Sequence, residues 1–399
     1  MSVSLSAVAV LALLAAPAGG AAATTTPDPT TAAAYNLGGD VSGVYTDPAG
    51  KTFTGKGQIV VVIDGAFNAG NSQFTDASGA SKIAGEACIG QPVGTTPWPS
   101  LCTPATTIQP TWPGSHPIYF SELPGAATPG NAPFNTCSDG AGGFCHNGHG
   151  TGVAGAVVGQ PSTRYELDGR VHRAAGAAVG AQVFQIKIGG GTGTASGWPH
   201  ASVVDALNWV DHVLAERPAY KGRIAAVSLS VSGGQLAAGS ACPAAGQAVD
   251  AVAGRLVDRG IAVVMAAGNE GITGVGTWNC GANVVRVGAT NVSSPTLASY
   301  TNRSADVQLY APVGDGVFAG SNKLMVPYRS SGWWFVTGTS FAAPQVAGAY
   351  AVLREKFGGT PSVAALTALL QSTGTPVTGT GAPAGAKIVD LAAALAGTP

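Results

Sequence analysis

Charge is scarce in this chain. Asp, Glu, Lys and Arg make up only 10% of its 399 residues and nearly cancel, leaving a net charge of −1. Average globular proteins carry about 25%. Without a basic excess there is nothing to hold a nucleic acid or an anionic membrane, and neither is expected as a partner. Also missing is an apolar run of the roughly 20 residues that a bilayer span requires. The opening run, Ser4 to Ala16, is too short for that and has no Lys or Arg ahead of it. Small residues follow, with cleavage expected after Ala18 or Ala23, so residues 1–23 read as an export leader with a weak basic end. Cysteine is present in an even number, six, which fits a disulfide-bearing exported protein. Fifty-nine glycines beside 45% apolar residues indicate tight turns and close packing in a folded body.

Residues 24–50, rich in Thr, Ala, Pro and Gly, read as a loose N-terminal arm, and 51–399 as one domain. Ile59-Val60-Val61-Val62-Ile63 is apolar on both faces, as in a central parallel strand covered on both sides. It ends in Asp64-Gly65. Residues 67–145 read as a long insertion dominated by turns, with Trp98, Trp112, Tyr119 and Phe120 among its prolines. Pairing of sequence neighbours predicts disulfides Cys88–Cys102 and Cys137–Cys145, leaving Cys242–Cys280, although six cysteines allow many pairings.

Strand and helix alternate thereafter. Strands are predicted at 181–188, 224–231, 261–267 and 284–287, and helices at 202–215 and 247–259, where apolar residues recur every three or four positions. Residues 304–336 read as an antiparallel excursion, and helices near 361–371 and 388–396 close the chain. Repeated βα units predict a single-domain α/β fold, a mostly parallel, doubly wound sheet with helices on both faces.

Three segments carry chemistry. Gly338-Thr339-Ser340 precedes the apolar helical run Ala342, Ala343, Val346, Ala347, placing a serine at a helix N-terminus, where unpaired N–H groups favour negative charge. The same pattern also suits an ordinary N-cap. His149 opens a helix rich in small residues, with Gly152, Gly155 and Ala156 permitting close approach to neighbours. His146 and Asp139 lie near it, but no zinc-like spacing appears and no metal site is assigned. Asp64 ends a strand, where open α/β sheets place their sites. A carboxylate, an imidazole and a hydroxyl are the three groups of acyl transfer, and their order Asp, His, Ser is the subtilisin order. Asn269 adds an amide able to donate to an oxyanion.

These segments resemble the subtilisin-like serine peptidases, the subtilase family. Val62-Ile63-Asp64-Gly65 is similar to the family's aspartate motif, His149-Gly150-Thr151-Gly152-Val153-Ala154-Gly155 to its histidine motif, and Ala266-Ala267-Gly268-Asn269 to its oxyanion segment. Gly338-Thr339-Ser340 through Gly348 matches its serine motif. Fainter echoes lie at Gly176 to Ile188, Val287 to Thr290, and Ser299-Tyr300-Thr301-Asn302 leading to Ala311-Pro312.

The resemblance implies a secreted serine endopeptidase that is a monomer, acts on extended peptide or protein substrates and needs no cofactor for chemistry. Asp64, His149 and Ser340 would be catalytic, with Asn269 and the Ser340 N–H forming the oxyanion hole. Ser230-Val231-Ser232-Gly233 would be the edge that pairs with substrate. Calcium as a structural ion is implied too, but no acid-rich ligand loop locates it. Glu270 either lends negative charge to the first specificity pocket or is a solvated loop acid.

Four departures stand out. Gly65 replaces a Ser or Thr whose hydroxyl would help hold the carboxylate, Gly152 replaces a second histidine, and Ser232 replaces a glycine. Residues 24–58 are shorter than the family's pro-segment, so either folding needs no such segment or the reading frame begins upstream. A peptide-binding protein with impaired catalysis is the competing reading, since fold does not guarantee activity. An esterase of the α/β-hydrolase type is excluded by the missing Gly-x-Ser-x-Gly elbow and by the residue order. His149 as base predicts activity rising through roughly pH 6–7.

Overall fold

A computed structural model describes residues 43–65, 67–89, 118–121, 148–165, 171–188, 190–192, 195–292, 294–315, 323–328 and 332–399. Its centre is a ten-stranded sheet of β1 (Ile59–Asp64), β2 (Ile83–Ile89), β3 (Ile118–Ser121), β4 (Gln182–Lys187), β5 (Ile224–Leu229), β6 (Ala262–Ala266), β7 (Val284–Thr290), β8 (Leu309–Pro312), β9 (Thr375–Pro376) and β10 (Lys387–Ile388). Their spatial order is β9-β10-β8-β7-β6-β5-β1-β4-β2-β3. All neighbours are parallel except the two edge pairs, β2 with β3 and β9 with β10.

β1 is fully buried, and its alternation divides two cores. Val60 and Val62 join residues of α1 (Gly148–Val158) and α4 (Ala342–Phe357). Ile59, Val61 and Ile63 pack with α2 (His200–His212) and α3 (Ala244–Asp258). The expected two-faced burial follows directly from the unbroken β-branched run. The closing helices are α5 (Val363–Thr373) and α6 (Leu391–Ala396), each N-capped by a side chain, Ser362 and Asp390.

Three expectations need correction. The segment 67–145 is not merely turns, because β2 and β3 join the main sheet within it. Ala84, Gly85 and Glu86 hide β2 in the sequence by breaking its β-branched pattern. The excursion at 304–336 is only partly antiparallel: Leu324–Pro327 pairs with Trp333–Val336 in a hairpin, but β8 runs parallel to β7. Finally, the arm is not loose to residue 50. Tyr45–Thr46 pairs with Thr52–Phe53, Tyr45 is buried, and Lys356 meets Asp47.

The disulfide Cys242–Cys280 is present, as predicted. Cys88 is also disulfide-bonded, while Cys102, Cys137 and Cys145 lie outside the described residues, as do the leader and Asp139 and His146. Among the described residues no helix is long and apolar enough to cross a membrane.

Candidate active site

The carboxyl ends of three adjacent parallel strands, β6, β5 and β1, converge on one edge of the sheet. Asp64 is the last residue of β1, Ser230 follows β5, and Asn269 lies just beyond β6. Helix α1 brings His149 to this edge in its first turn. Small residues make that possible: a Cβ built at Gly155 would lie 2.1 Å from Pro327 Cγ. At Gly152 it would lie 2.9 Å from Val326 Cγ2 and 3.0 Å from the Phe341 ring. The second histidine of the family motif therefore has no room here.

Asp64 and His149 meet. The imidazole Nδ1 lies 2.8 Å from Asp64 Oδ1, and the carboxylate is fully buried. The same oxygen accepts the Gly65 N–H at 2.7 Å, a bond that any residue but proline could make there. Asp64 Oδ2 is buried without a hydrogen-bond partner. The imidazole, 26% exposed, touches Phe341 and Trp198 at ring-centroid distances of 5.3 and 5.6 Å. Burial works against its protonation, but the Asp64 charge and hydrogen bond outweigh burial and raise the His149 pKa above its usual 6.5.

Ser340 lies in a short 3-10 turn, Thr339–Phe341, that leads directly into α4. Its N–H precedes the first bond of that turn, Phe341 N–H to the Gly338 carbonyl, and so belongs to the unpaired N-terminal donors. Its hydroxyl does not meet His149 in this conformation. Oγ instead donates to the Ser230 carbonyl at 3.3 Å, while Ser230 Oγ donates to the Ser340 carbonyl at 2.7 Å. At 3.3 Å an O–H···O contact is long and weak, so little holds this hydroxyl in its present rotamer.

Asn269 is exposed but held. Its Oδ1 accepts the Thr339 N–H at 2.8 Å and the Thr339 hydroxyl at 3.0 Å. A backbone N–H must face the amide oxygen, so Nδ2 is the end left to donate. Gly268, at φ +113°, makes the turn and donates its N–H to Thr339 Oγ1 at 3.2 Å. The candidate substrate edge is anchored from the far side: the Trp278 N–H donates to the Ser232 carbonyl, and Gly234 and Thr277 bond in both directions. Ser230 and Val231 are buried, and Ser232 and Gly233 partly exposed. Glu270 is an exposed residue whose carboxylate accepts from Asn302 Nδ2 at 2.6 Å.

The model of the subtilase family matches residues 55–386. The chain belongs to the subtilase family. Among curated relatives it is 29% identical to an extracellular protease of Xanthomonas campestris pv. campestris, over 65% of this chain and 42% of that protein. It is 29% identical to subtilisin DY of Bacillus licheniformis, over 53% of this chain and 65% of the relative. The matched parts thus span about two thirds of such relatives or less. The fold is similar to that of a Pseudoalteromonas arctica protease at a TM-score of 0.57 and 21% identity, covering 86% of this chain and 91% of the other.

Sequence reading did not single out Trp198 or Thr339 as the clamp on Asn269, and it placed Asn302 in a faint family echo without giving it a role. Trp198 was detectable in principle, because it lies in the loop that leaves the carboxyl end of β4, where such sheets build their sites. Neither hydrogen-bonding role has a local signature, since the partners are 70 and 32 residues away.

Proposed function

We propose that this subtilase is a secreted serine endopeptidase that cleaves peptide bonds through an acyl-enzyme. The observation that carries this reading is the 2.8 Å contact between His149 Nδ1 and buried Asp64, which fixes the tautomer and turns Nε2 toward its task as base. Nε2 takes the Ser340 proton as Oγ attacks the carbonyl carbon of an extended peptide laid along Ser230 to Gly233. The oxyanion that forms is met by the Ser340 N–H and Asn269 Nδ2. His149 then protonates the departing amine, and water, activated by the same imidazole, releases the acyl group from Oγ. Asp64 stays ionised and stabilises the imidazolium.

Export is supported by the leader-like residues 1–23, the disulfide and the extracellular relative. The structural calcium that the resemblance implies is not located: among the described residues no three His, Cys, Asp or Glu side chains come together to hold a metal. The steps above use the chain's own groups.

Labelling of the purified protein with a fluorophosphonate tests the reading. Labelling of the native protein and none of Ser340→Ala is expected. A folded native protein that resists the reagent would instead be the catalytically impaired peptide binder.

A further inference from the structure

The geometry points to Asn302 as the positioning residue for the oxyanion donor Asn269. This role rests on the peptidase reading and extends it to a residue that touches neither substrate nor nucleophile. Asn302 is fully buried, and its amide uses all of its hydrogen-bonding capacity on one loop. Oδ1 accepts the backbone N–H groups of Glu270 at 3.1 Å and Ile272 at 3.3 Å. Nδ2 donates to the Ala267 carbonyl at 3.2 Å and to Glu270 Oε2 at 2.6 Å. The Asn302 N–H adds a bond to the Gly268 carbonyl at 3.0 Å.

Asn269 is the residue enclosed by these bonds. The Asn302 side chain ties Ala267 before Asn269 and Glu270 and Ile272 after it, and the Asn302 backbone ties Gly268. Thr339, beside the nucleophile, holds the Asn269 amide oxygen. The fit leaves no slack. A Cβ at Gly268 would lie 2.2 Å from Asn302 Nδ2, so residue 268 is glycine for space as well as for its positive φ. Glu270 acquires a definite duty here: its carboxylate completes the Asn302 amide and helps set the height of the loop, rather than only tinting a pocket. Since catalytic donors act only within a narrow geometry, the clamp determines how well Asn269 meets the oxyanion.

The test is a kinetic cycle on a peptide amide substrate with the native protein, Asn302→Ala, Asn269→Ala and the double variant. In the native background Asn302→Ala is expected to lower kcat by about 10- to 100-fold with little change in KM, and to weaken a peptide aldehyde inhibitor in step. In the Asn269→Ala background the same change is expected to cost less than about 2-fold, because the donor it positions is gone. Equal losses in both backgrounds, or no loss, would overturn the role.

Should Asn302→Ala not fold, Asn302→Asp decides the matter. It keeps both acceptor contacts but sets a carboxylate against Glu270, so kcat falls, and Glu270→Gln then restores a donor and recovers at least part of the rate. An Asn302→Asp variant that is as active as the native protein, or not rescued, overturns the proposal. Failure of the native protein to label with fluorophosphonate is a different result, which removes the peptidase reading and this role together.

Discussion

At the scale of the residue, His149 sets the pH at which the site works. A general base must be neutral to accept a proton. Asp64 favours the protonated ring and outweighs the burial that opposes it, so kcat/KM should rise with pH through a midpoint above 6.5, higher than the bare histidine suggests. Asp64→Asn removes the charge: the midpoint should fall, and kcat should drop by about 10⁴-fold, the loss established for the equivalent change in another serine protease. A pH–rate profile of both proteins checks the two effects, and an unmoved midpoint would deny Asp64 its part. The same shift has a stability consequence. The Asp64–His149 pair contributes fully below the unfolded histidine's pKa, near 6.5, and that contribution is lost as pH rises through the higher folded value.

Elements decide whether such residues meet, and two of them make testable claims. Helix α1 reaches the sheet edge because it presents Gly152 and Gly155 to the 324–327 strand. Gly155→Ala should overpack Pro327 and destabilise the protein by about 1–3 kcal/mol, seen as a lower Tm. Strand β2 hides Glu86, which is 1% exposed with neither carboxylate oxygen hydrogen-bonded. Burial pushes its pKa up to about 8. The unfolded chain releases that proton near 4.5, so stability should fall between pH 4.5 and 8 and level off above. Glu86→Gln abolishes this slope and should be the more stable protein at pH 8 by a few kcal/mol, at roughly 1.4 kcal/mol per pKa unit. Thermal melts at pH 5 and 8 compare the two, and a variant that gains nothing at pH 8 would refute the assignment.

These elements also mark what the sequence conveys. The strand at 59–64 was legible because its burial is continuous, and the 342–357 helix because its small and apolar residues recur with helical spacing. Asp64, His149, Asn269 and Ser340 were legible because each sits beside a short motif that has a local shape. β2 was not, since a glycine and a glutamate interrupt it and pairing with β4 and β3 makes it a strand. Asn302 and Thr339 were not, because their roles consist of contacts made across the fold.

For the molecule as a whole, the disulfide Cys242–Cys280 ties residues 38 apart in sequence. It fastens the N-terminal approach of α3 to the turn that bonds Ser232 and Gly234. Replacing both cysteines with serine should cost about 2–4 kcal/mol, lowering Tm. The loss should also raise KM more than it lowers kcat, because the substrate edge loosens while Asp64, His149 and Ser340 keep their own supports. Steady-state kinetics below the melting range would separate these effects, and a purely kcat loss would contradict this division.

Asp64 and His149 stand 85 residues apart, and Ser230 and Ser340 110 apart. On the peptidase reading, no stretch of nascent chain that stops short of Ser340 holds the whole centre. The proposed cutting activity thus waits on the packing of the sheet with α1 and α4, which makes folding its own safety catch.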